Sequence, residues 1–318
     1  MTIGFTFPGQ GSQALGMGKD LADAFPEAKA VFDEVDEALG EKLSDVMWNG
    51  PADDLTLTAN AQPALMAVSL AVIAVLKQRE YTVDKHADYV AGHSLGEYSA
   101  LAAAGSLSIS DAARLLRLRG SAMQEAVAVG EGAMAAVLGL TLEQAGEIAL
   151  QASQVGVCDV ANDNAPGQVV LSGARDAVDK AIDLAKAAGS KRAILLPVSA
   201  PFHCRMMQPA ADRMAEALAN TALAAPAVPI VSNVLAQPIT NPDEIRSRLI
   251  EQVTGTVRWR ESVEWLAANG VTTLVELGSG KVLTGLARRI DRSLSAISAS
   301  GPDDIDALIV HLSGERGE

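Results

Sequence analysis

Cysteine, basic charge and long apolar runs are all scarce in this sequence. Two of its 318 residues are cysteines, too few for a disulfide framework, and this favours a reducing compartment. Lys and Arg number 25 against 39 Asp and Glu. The resulting net charge of −14 argues against a protein that coats nucleic acid or an anionic membrane.

No segment has the character of a membrane span or a leader. The most apolar stretch, 64–76, is shorter than the roughly 20 residues that cross a bilayer, and we interpret it as a buried helix. The first residues lack the basic and long apolar regions of a signal peptide. We therefore expect a cytoplasmic protein with neither a nucleic-acid nor a membrane partner.

What is present is the composition of a globular protein. Hydrophobic residues make up 49% and charged residues 20% of the chain. The length allows two domains, or one large domain that carries an insertion. Short apolar segments alternate with longer helical patterns, which predicts an α/β fold with a mostly parallel sheet. The predicted strands are 3–7, 89–91, 230–234 and 273–277, and the predicted helices are 22–39, 63–78, 96–104, 111–126, 210–218, 243–252 and 259–269.

One segment departs from this alternation. Its pattern is strand 133–140, helix 142–155, strands 158–161 and 168–172, helix 175–188 and strand 192–196. This β-α-β-β-α-β order is that of ferredoxin-like domains. The sequence thus predicts a small ferredoxin-like domain at 130–198, inserted into a catalytic domain formed by 1–129 and 199–318.

A candidate nucleophile lies in the segment Gly92-His93-Ser94-Leu95-Gly96. This G-x-S-x-G pattern stands between a predicted strand and a predicted helix, where the backbone turns too tightly for side chains on either side of the serine. Such an elbow places the serine at a helix N-terminus, which favours a developing anion. A glycine-rich turn with a serine helix cap is the structural alternative.

A serine nucleophile needs a base, and the chain offers four histidines. His93 is adjacent to the serine, but neighbours at an elbow point apart. His86 lies in a polar loop and His311 near the end of the chain. His203 follows a predicted strand and precedes a predicted helix, where catalytic residues of open α/β sheets concentrate. Elimination favours His203, and a structural loop histidine is the alternative.

Arg119 falls in the middle of the apolar face of the helix predicted over 111–126. Burying an unpaired guanidinium costs several kcal/mol, so an anionic partner is expected. That partner is either an internal acid or the carboxylate of a ligand, which arginine binds with two parallel hydrogen bonds.

Two glycine-rich segments imitate nucleotide-binding motifs. Residues 9–14 resemble a dinucleotide fingerprint, but the acidic residues about 20 positions later lie within a predicted helix. Residues 278–281 lack the first glycine and the following hydroxyl residue of a P-loop. The histidine and cysteine spacings match no zinc pattern. We therefore expect neither a nucleotide cofactor nor a metal site.

Together the motifs resemble the malonyl-CoA:acyl carrier protein transacylases of bacterial fatty-acid synthesis. The resemblance spans nearly the whole chain and is carried by residues 7–13, 61–64, 92–99, 119–120, 164–168, 201–203 and 280–283. It implies an α/β-hydrolase-like large domain beside a ferredoxin-like small one. It also implies that malonyl-CoA and acyl carrier protein are the partners, and that coenzyme A thioester is a substrate with no cofactor required.

The resemblance also implies roles for individual residues. Ser94 would accept the acyl group, with His203 as its base. The backbone carbonyl of Gln252 would orient the imidazole in place of the usual acid. A neutral carbonyl fixes the tautomer by accepting the ring N–H, although it stabilises an imidazolium less than a carboxylate does. The backbone N–H groups of Gln10 and Leu95 would form the oxyanion hole.

Three further residues would contact the substrate. Arg119 would bind the free carboxylate of the malonyl group. Asn162 matches a family position near the site. Phe202 precedes the base, and its ring would fill the space that an α-methyl group needs. The implied mechanism is ping-pong, through a malonyl-serine intermediate.

The chain departs from the family pattern at Thr256, where many relatives have proline. Because Gln252 would act through a backbone atom, its implied role survives this change, whereas the rigidity of the loop becomes an open question. Two rival functions compete with acyl transfer. A serine hydrolase would use Asp159, Asp163 or Asp176 as its acid, and a non-catalytic carrier-binding module would use no nucleophile.

Overall fold

The computed structural model describes residues 2–316 as a mixed α/β protein with one sheet of six strands and another of four. The strands are β1 (Thr2–Phe7), β2 (Tyr89–Gly92), β3 (Gly132–Leu138), β4 (Cys158–Ala165), β5 (Gln168–Ala174), β6 (Arg192–Leu195), β7 (Ile230–Val231), β8 (Pro238–Ile239), β9 (Val271–Leu277) and β10 (Ser295–Ala299).

Helices fill most of the chain between the strands. They are α1 (Lys19–Ala24), α2 (Pro26–Leu39), α3 (Leu43–Asn49), α4 (Ala52–Thr56), α5 (Thr58–Gln78), α6 (Val83–His86), α7 (Gly96–Ala103), α8 (Ile109–Glu125), α9 (Leu142–Ala152), α10 (Arg175–Ala187), α11 (Gln208–Ala219), α12 (Pro242–Thr254), α13 (Trp259–Ala268), α14 (Val282–Ile290) and α15 (Pro302–Arg316).

The six-stranded sheet has the order β10-β9-β1-β2-β7-β8 and is parallel except for the β7–β8 pair. Five of the six residues of β1 are buried, because helices cover both faces of this central strand. In a parallel sheet the carboxyl ends of the strands share one edge, so the segments after β1, β2 and β7 come together there.

Helix α5 supplies much of the core behind the sheet. Among the described residues it is the helix that is long and apolar enough to cross a membrane, yet 78% of its most apolar window is buried inside the protein. It is therefore a core helix, and it contains the stretch 64–76 for which the sequence predicts burial.

The four-stranded sheet is antiparallel, with the order β4-β5-β3-β6. Its segment runs β3-α9-β4-β5-α10-β6 along the chain. A core separate from that of the large sheet lies between this sheet and helices α9 and α10; it includes Val137, Ile148, Leu171 and Ile182. The separate core indicates that this part of the chain packs largely on itself.

The large and small sheets are joined next to the edge where the parallel strands end. Asn162 of β4 forms a parallel bridge with Val257, in the loop between α12 and α13. The backbone N–H of Asp163 donates to the Val257 carbonyl at 3.0 Å, and the Val257 N–H donates to Ala161 at 2.9 Å. The Asp163 carboxylate, 1% exposed, pairs with Arg260 at 2.8 Å. The loop after α12 therefore belongs to both parts of the molecule.

Some predicted element boundaries are wrong. The helix expected over 22–39 is two helices, since Phe25 is extended and Pro26 begins the second. The helix expected to begin at Pro63 begins at Thr58, so Pro63 lies inside it; the Ala59 carbonyl, to which Pro63 has no N–H to donate, accepts from Arg117 instead. The strand expected over 230–234 ends at Val231, and the two-residue strand β8 and the small-residue strand β10 carry too weak a pattern to predict.

Candidate active site

Ser94 lies in the tight turn between β2 and α7. Its φ of 54° is in the left-handed region, which few residues other than glycine adopt. A Cβ on Gly92 would lie 1.9 Å from the backbone of Gly96, and one on Gly96 would lie 2.2 Å from the carbonyl oxygen of Phe7. Space therefore requires both glycines, as the G-x-S-x-G spacing predicts for an elbow.

Asn233, in the turn after β7, forms hydrogen bonds to this elbow, although the two are far apart in the sequence. Its Nδ2 donates to the Gly92 carbonyl oxygen at 2.7 Å, and its Oδ1 accepts from the Ser94 backbone N–H at 2.8 Å. The side chain is 1% exposed, so these bonds form away from competing water. The Asn233 amide thus holds the left-handed backbone at Ser94.

His203 lies opposite Ser94, in the segment between β6 and α11. Its Nε2 is 2.8 Å from Ser94 Oγ, and its Nδ1 is 2.8 Å from the backbone carbonyl oxygen of Gln252. A carbonyl can only accept, so Nδ1 carries the proton and Nε2 is free to accept the serine hydroxyl. This geometry suits proton transfer from the serine.

The imidazole of His203 is held neutral. The residue is 4% exposed, and its φ of 56° is also in the left-handed region. The pKa of His203 is lowered to about 3, mainly by burial; the nearby Arg119 cation also lowers it, and the bond to the Gln252 carbonyl opposes both effects. The imidazole is therefore ready to accept a proton at neutral pH, with a modest intrinsic affinity for it.

The other histidines have different environments. His93 lines the same cleft, but its Nε2 is 2.8 Å from Asn164 Oδ1 and its ring lies beside Trp259. Burial lowers the pKa of His93 as well. His86 lies on the short helix α6 against Tyr81, and His311 lies on α15, so neither lines the cleft with Ser94.

Arg119 reaches the same serine from α8. It is 1% exposed and donates to three neutral oxygens: Gln62 Oε1 at 2.8 Å, Gln252 Oε1 at 2.8 Å and Ser94 Oγ at 3.0 Å. Its Nε has no partner within residues 2–316. The expectation that an internal acid could be its contact partner is therefore wrong, and a buried cation with donors to spare faces the nucleophile.

The backbone N–H groups of Gln10 and Leu95 flank Ser94 from two loops. Gln10 follows β1 and Leu95 precedes α7, and both residues line the cleft. A Cβ on Gly9 would lie 2.7 Å from the His93 carbonyl oxygen, so glycine lets the first loop approach the elbow closely. In the described part of the chain neither N–H donates to a protein acceptor.

The cleft that contains these groups has a volume of about 610 Å³. Within it, His203 and Arg119 meet at Ser94 Oγ. Phe202 and Asn162, which are 8% and 7% exposed, also line it. The rest of the wall is largely apolar and includes Met123, Met134, Val170, Leu196 and Val198. The cleft has the size and composition to hold a ligand in which a small polar group is attached to a longer, less polar part.

The loop that follows α12, just after the Gln252 carbonyl, is tied to the small sheet. Thr256 Oγ1 donates to the Val160 carbonyl oxygen at 2.6 Å, next to the Val257 bridge. A proline at this position has no side-chain donor. The Thr256 hydroxyl thus holds this loop by a hydrogen bond, where a proline would hold it by the stiffness of its ring.

None of the three acids considered for a hydrolase contacts His203. Asp159 binds Arg205 at 3.0 Å, Asp163 binds Arg260, and Asp176 lies in the first turn of α10. The ring nitrogen that such an acid would hold is occupied by the Gln252 carbonyl. The arrangement is therefore not a Ser-His-Asp triad.

Sequence reasoning missed three residues as contributors to the site: Gln62, Glu97 and Asn233. Gln62 and Glu97 stand inside the motifs 61–64 and 92–99, so a buried polar residue in each was the available signal. Asn233 is separated from Ser94 by 139 residues, and its local sequence carries no signal of this contact.

Comparisons with known proteins identify the family of the whole chain. Residues 4–299 match the acyl transferase domain family. The chain is 48% identical to the malonyl CoA-acyl carrier protein transacylase of Bacillus subtilis, over 99% of this chain and 98% of that protein.

Solved structures give the same result. The acyl-carrier-protein-S-malonyltransferase of Bartonella henselae superposes with a TM-score of 0.97 at 57% identity, covering 98% of this chain and 99% of that one. A malonyl-transacylase in complex with its type II PKS acyl-carrier protein superposes with a TM-score of 0.94 at 41% identity, covering 98% and 100%. The chain therefore belongs to the acyl transferase family and, within it, to the malonyl CoA-acyl carrier protein transacylases.

Proposed function

We propose that this protein moves the malonyl group of malonyl-CoA to the phosphopantetheine thiol of acyl carrier protein, through a malonyl ester on Ser94. One observation carries the proposal: Ser94 Oγ lies 2.8 Å from His203 Nε2 and 3.0 Å from Arg119 Nη2. A nucleophile, a base and a cation for a free carboxylate thus meet at one atom. The named activity of the relatives and the solved carrier complex support the same substrates.

In the first half-reaction Ser94 Oγ bonds to the thioester carbonyl carbon as His203 Nε2 takes the hydroxyl proton. The oxygen that gains negative charge is stabilised by the backbone N–H groups of Gln10 and Leu95. Collapse of the intermediate breaks the carbon–sulfur bond. Coenzyme A leaves as a thiol with the proton from His203, and the malonyl ester of Ser94 remains.

In the second half-reaction the carrier thiol gives its proton to His203 Nε2, and its sulfur attacks the ester carbonyl. The bond to Ser94 Oγ breaks, and the serine regains its proton. Because both halves use the same atoms, coenzyme A and the carrier arm occupy the cleft in turn. The proposal includes no cofactor beyond the coenzyme A thioester that serves as substrate.

The choice of acyl group follows from the groups that surround Ser94 in the cleft. Arg119 pairs with the free malonyl carboxylate, and its neutral partners Gln62 and Gln252 leave its charge available. Phe202 occupies the space that an α-methyl group needs, and Asn162 contacts the substrate from the small sheet. An acyl group without a carboxylate lacks the contact with Arg119 and is transferred more slowly.

The proposal extends to the architecture. We assign residues 1–129 and 199–318 to an α/β-hydrolase-like catalytic domain and residues 130–198 to a ferredoxin-like domain. The parallel order of the large sheet and the β3-α9-β4-β5-α10-β6 order of the small one support this division. The two buried free cysteines, Cys158 and Cys204, support a reducing compartment such as the cytoplasm.

Intact-protein mass spectrometry after mixing with malonyl-CoA tests the proposal. We expect a gain of one malonyl group in the wild type and none in Ser94→Ala. Ser99→Ala, on the same helix, is the matched control and should still gain the group. Addition of acyl carrier protein should remove the adduct and produce malonyl-carrier. Release of free malonate instead would establish a hydrolase, and the absence of any adduct would refute the covalent route.

A further inference from the structure

The proposed mechanism leaves one buried acid unused. Glu97, in the first turn of α7, is 2% exposed and directly follows the elbow that carries Ser94. Its Oε2 accepts from Gln252 Nε2 at 2.7 Å and from the Asn233 backbone N–H at 3.3 Å. Its partners at hydrogen-bond distance are therefore an amide and a backbone N–H rather than a basic side chain. A carboxyl kept in such a place is costly, which points to a role.

Glu97 determines which way the Gln252 amide faces. Gln252 is fully buried, and its Nε2 donates one hydrogen to Glu97 Oε2 and the other to the Ser94 carbonyl oxygen at 2.9 Å. Its Oε1 then faces Arg119 and accepts from Nη2 at 2.8 Å. A reversed amide would set oxygen against two acceptors and N–H against the guanidinium donors. The acid and the carbonyl thus fix one orientation.

We propose that Glu97 is a positioning residue that acts through the side-chain amide of Gln252 to orient Arg119 for an acyl group bearing a carboxylate. The inference rests on the role proposed above for Arg119. A carboxylate touching the guanidinium would compete with the substrate for its donors. Placed one amide further away, Glu97 orients the buried cation and offsets its charge while leaving its donors to the substrate.

The charged and titratable groups around Glu97 are few. Arg119 faces it from α8 and Tyr98 from its own helix. Helix α12 and the turn after β7 present only the neutral Gln252 and Asn233. Burial raises the pKa of Glu97 to about 7, although both hydrogen bonds and the Arg119 cation oppose the shift. As the pH falls through this value, Glu97 gains a proton, and Arg119 then no longer has a negative charge nearby.

The test compares kcat/KM for malonyl-CoA and acetyl-CoA from about pH 5.5 to 9. In the wild type, malonyl transfer should fall as the pH drops below about 7, while acetyl transfer stays level, since burial lowers the pKa of the base His203 to about 3. Glu97→Gln keeps the size and the acceptor oxygen but not the charge. Its malonyl transfer should be about tenfold slower at high pH and independent of pH, and its acetyl transfer should fall much less than its malonyl transfer.

A second variant tests the same connection between Glu97 and Arg119 by changing Gln252, which lies between them. Gln252→Met removes the amide and leaves both Glu97 and the backbone carbonyl that His203 uses. It should lose malonyl transfer by about 10- to 100-fold relative to acetyl transfer. Thermal melting identifies a variant that fails to fold, in which case the other variant decides.

The proposal is overturned if Glu97→Gln keeps the wild-type pH profile, or if malonyl and acetyl transfer fall together in the folded variants. A structural role alone would give that second result. The malonyl adduct of the wild type is measured first. Its absence counts against the proposed function, whereas a normal adduct with unselective variants counts against Glu97 alone.

Discussion

The two sheets contribute different kinds of group to one cleft. The large parallel sheet brings backbone N–H groups and hydrogen-bonding side chains, since the segments after β1, β2 and β7 all emerge at one edge. They carry Gln10, Ser94 and Asn233. The antiparallel sheet instead presents an apolar wall at Met134 and Val170, together with uncharged amide side chains on β4. The ends of the parallel strands thus supply the nucleophile and the groups that hold it, whereas the antiparallel sheet supplies an uncharged wall.

This difference predicts that rate and selection can be separated. Substitutions of groups that act on the reacting atoms should slow the chemical steps. Substitutions of groups that bind the acyl group should change the preferred acyl group, and substitutions where the two sheets are joined should change the stability of the fold. Four variants test the separation, in order of decreasing effect.

His203→Ala should slow acylation of Ser94 by about 10²- to 10⁴-fold, the usual contribution of a positioned base. Malonyl and acetyl groups should be affected alike, because the proton transfer does not depend on the acyl group. Rapid mixing followed by mass spectrometry measures the rate, with His86→Ala as the control. A rate near that of the wild type would move the base to His93.

Arg119→Ala should lose malonyl transfer by about 10- to 100-fold more than acetyl transfer, since a hydrogen-bonded buried charge is removed. Arg119→Lys keeps the charge without the paired donors and should recover little. Competition between the two thioesters in one reaction gives the ratio directly. Equal losses for both acyl groups would show that Arg119 serves the fold or the serine, not the carboxylate.

Phe202→Ala should raise methylmalonyl transfer relative to malonyl transfer by about tenfold, because the ring no longer fills the space of one methyl group. Phe202 lines the cleft but has no group that takes part in proton transfer, so the effect should be on preference more than on speed. Product analysis with both thioesters measures it. An unchanged ratio would place the selective wall elsewhere, for example at Met134 or Val170.

Thr256→Val should have the smallest effect. It removes the hydrogen bond to the Val160 carbonyl and should lower the free energy of unfolding by about 1 kcal/mol with little change in transfer rate. Denaturant unfolding measures the stability. Thr254→Val, at the end of α12, is the control, because the Thr254 hydroxyl donates within its own helix. A large fall in rate would mean that the Thr256 cross-link sets the position of the imidazole, and the separation of rate from stability would fail.

Local signals in the sequence predicted much of this architecture. The elbow was predictable because Gly92 and Gly96 meet a steric need that acts within a few residues. Arg119 stood out because its position on an apolar face conflicts with its charge. The main elements of the small sheet were also predictable, since alternation and helical periodicity are local properties.

Other features depend on contacts that no local pattern encodes. Asn233 meets Ser94 across 139 residues, and the Gln252 amide meets Glu97 across 155. The neutral partners of Arg119 also come from separate helices, so the sequence pattern left both an internal acid and a ligand carboxylate open as its partner. The short strands β7 and β8 gain their order from the sheet rather than from their own residues.

The third member of the proposed catalytic group is a main-chain oxygen, and this has a consequence for genetics. Any codon at position 252 still encodes a carbonyl there, so alanine scanning cannot delete the acceptor that His203 uses. Only backbone chemistry reaches it: an ester in place of the peptide bond between Gln252 and Val253 would weaken the acceptor. The side chain at this position can therefore vary and change the preferred acyl group, while the backbone carbonyl that orients His203 stays the same.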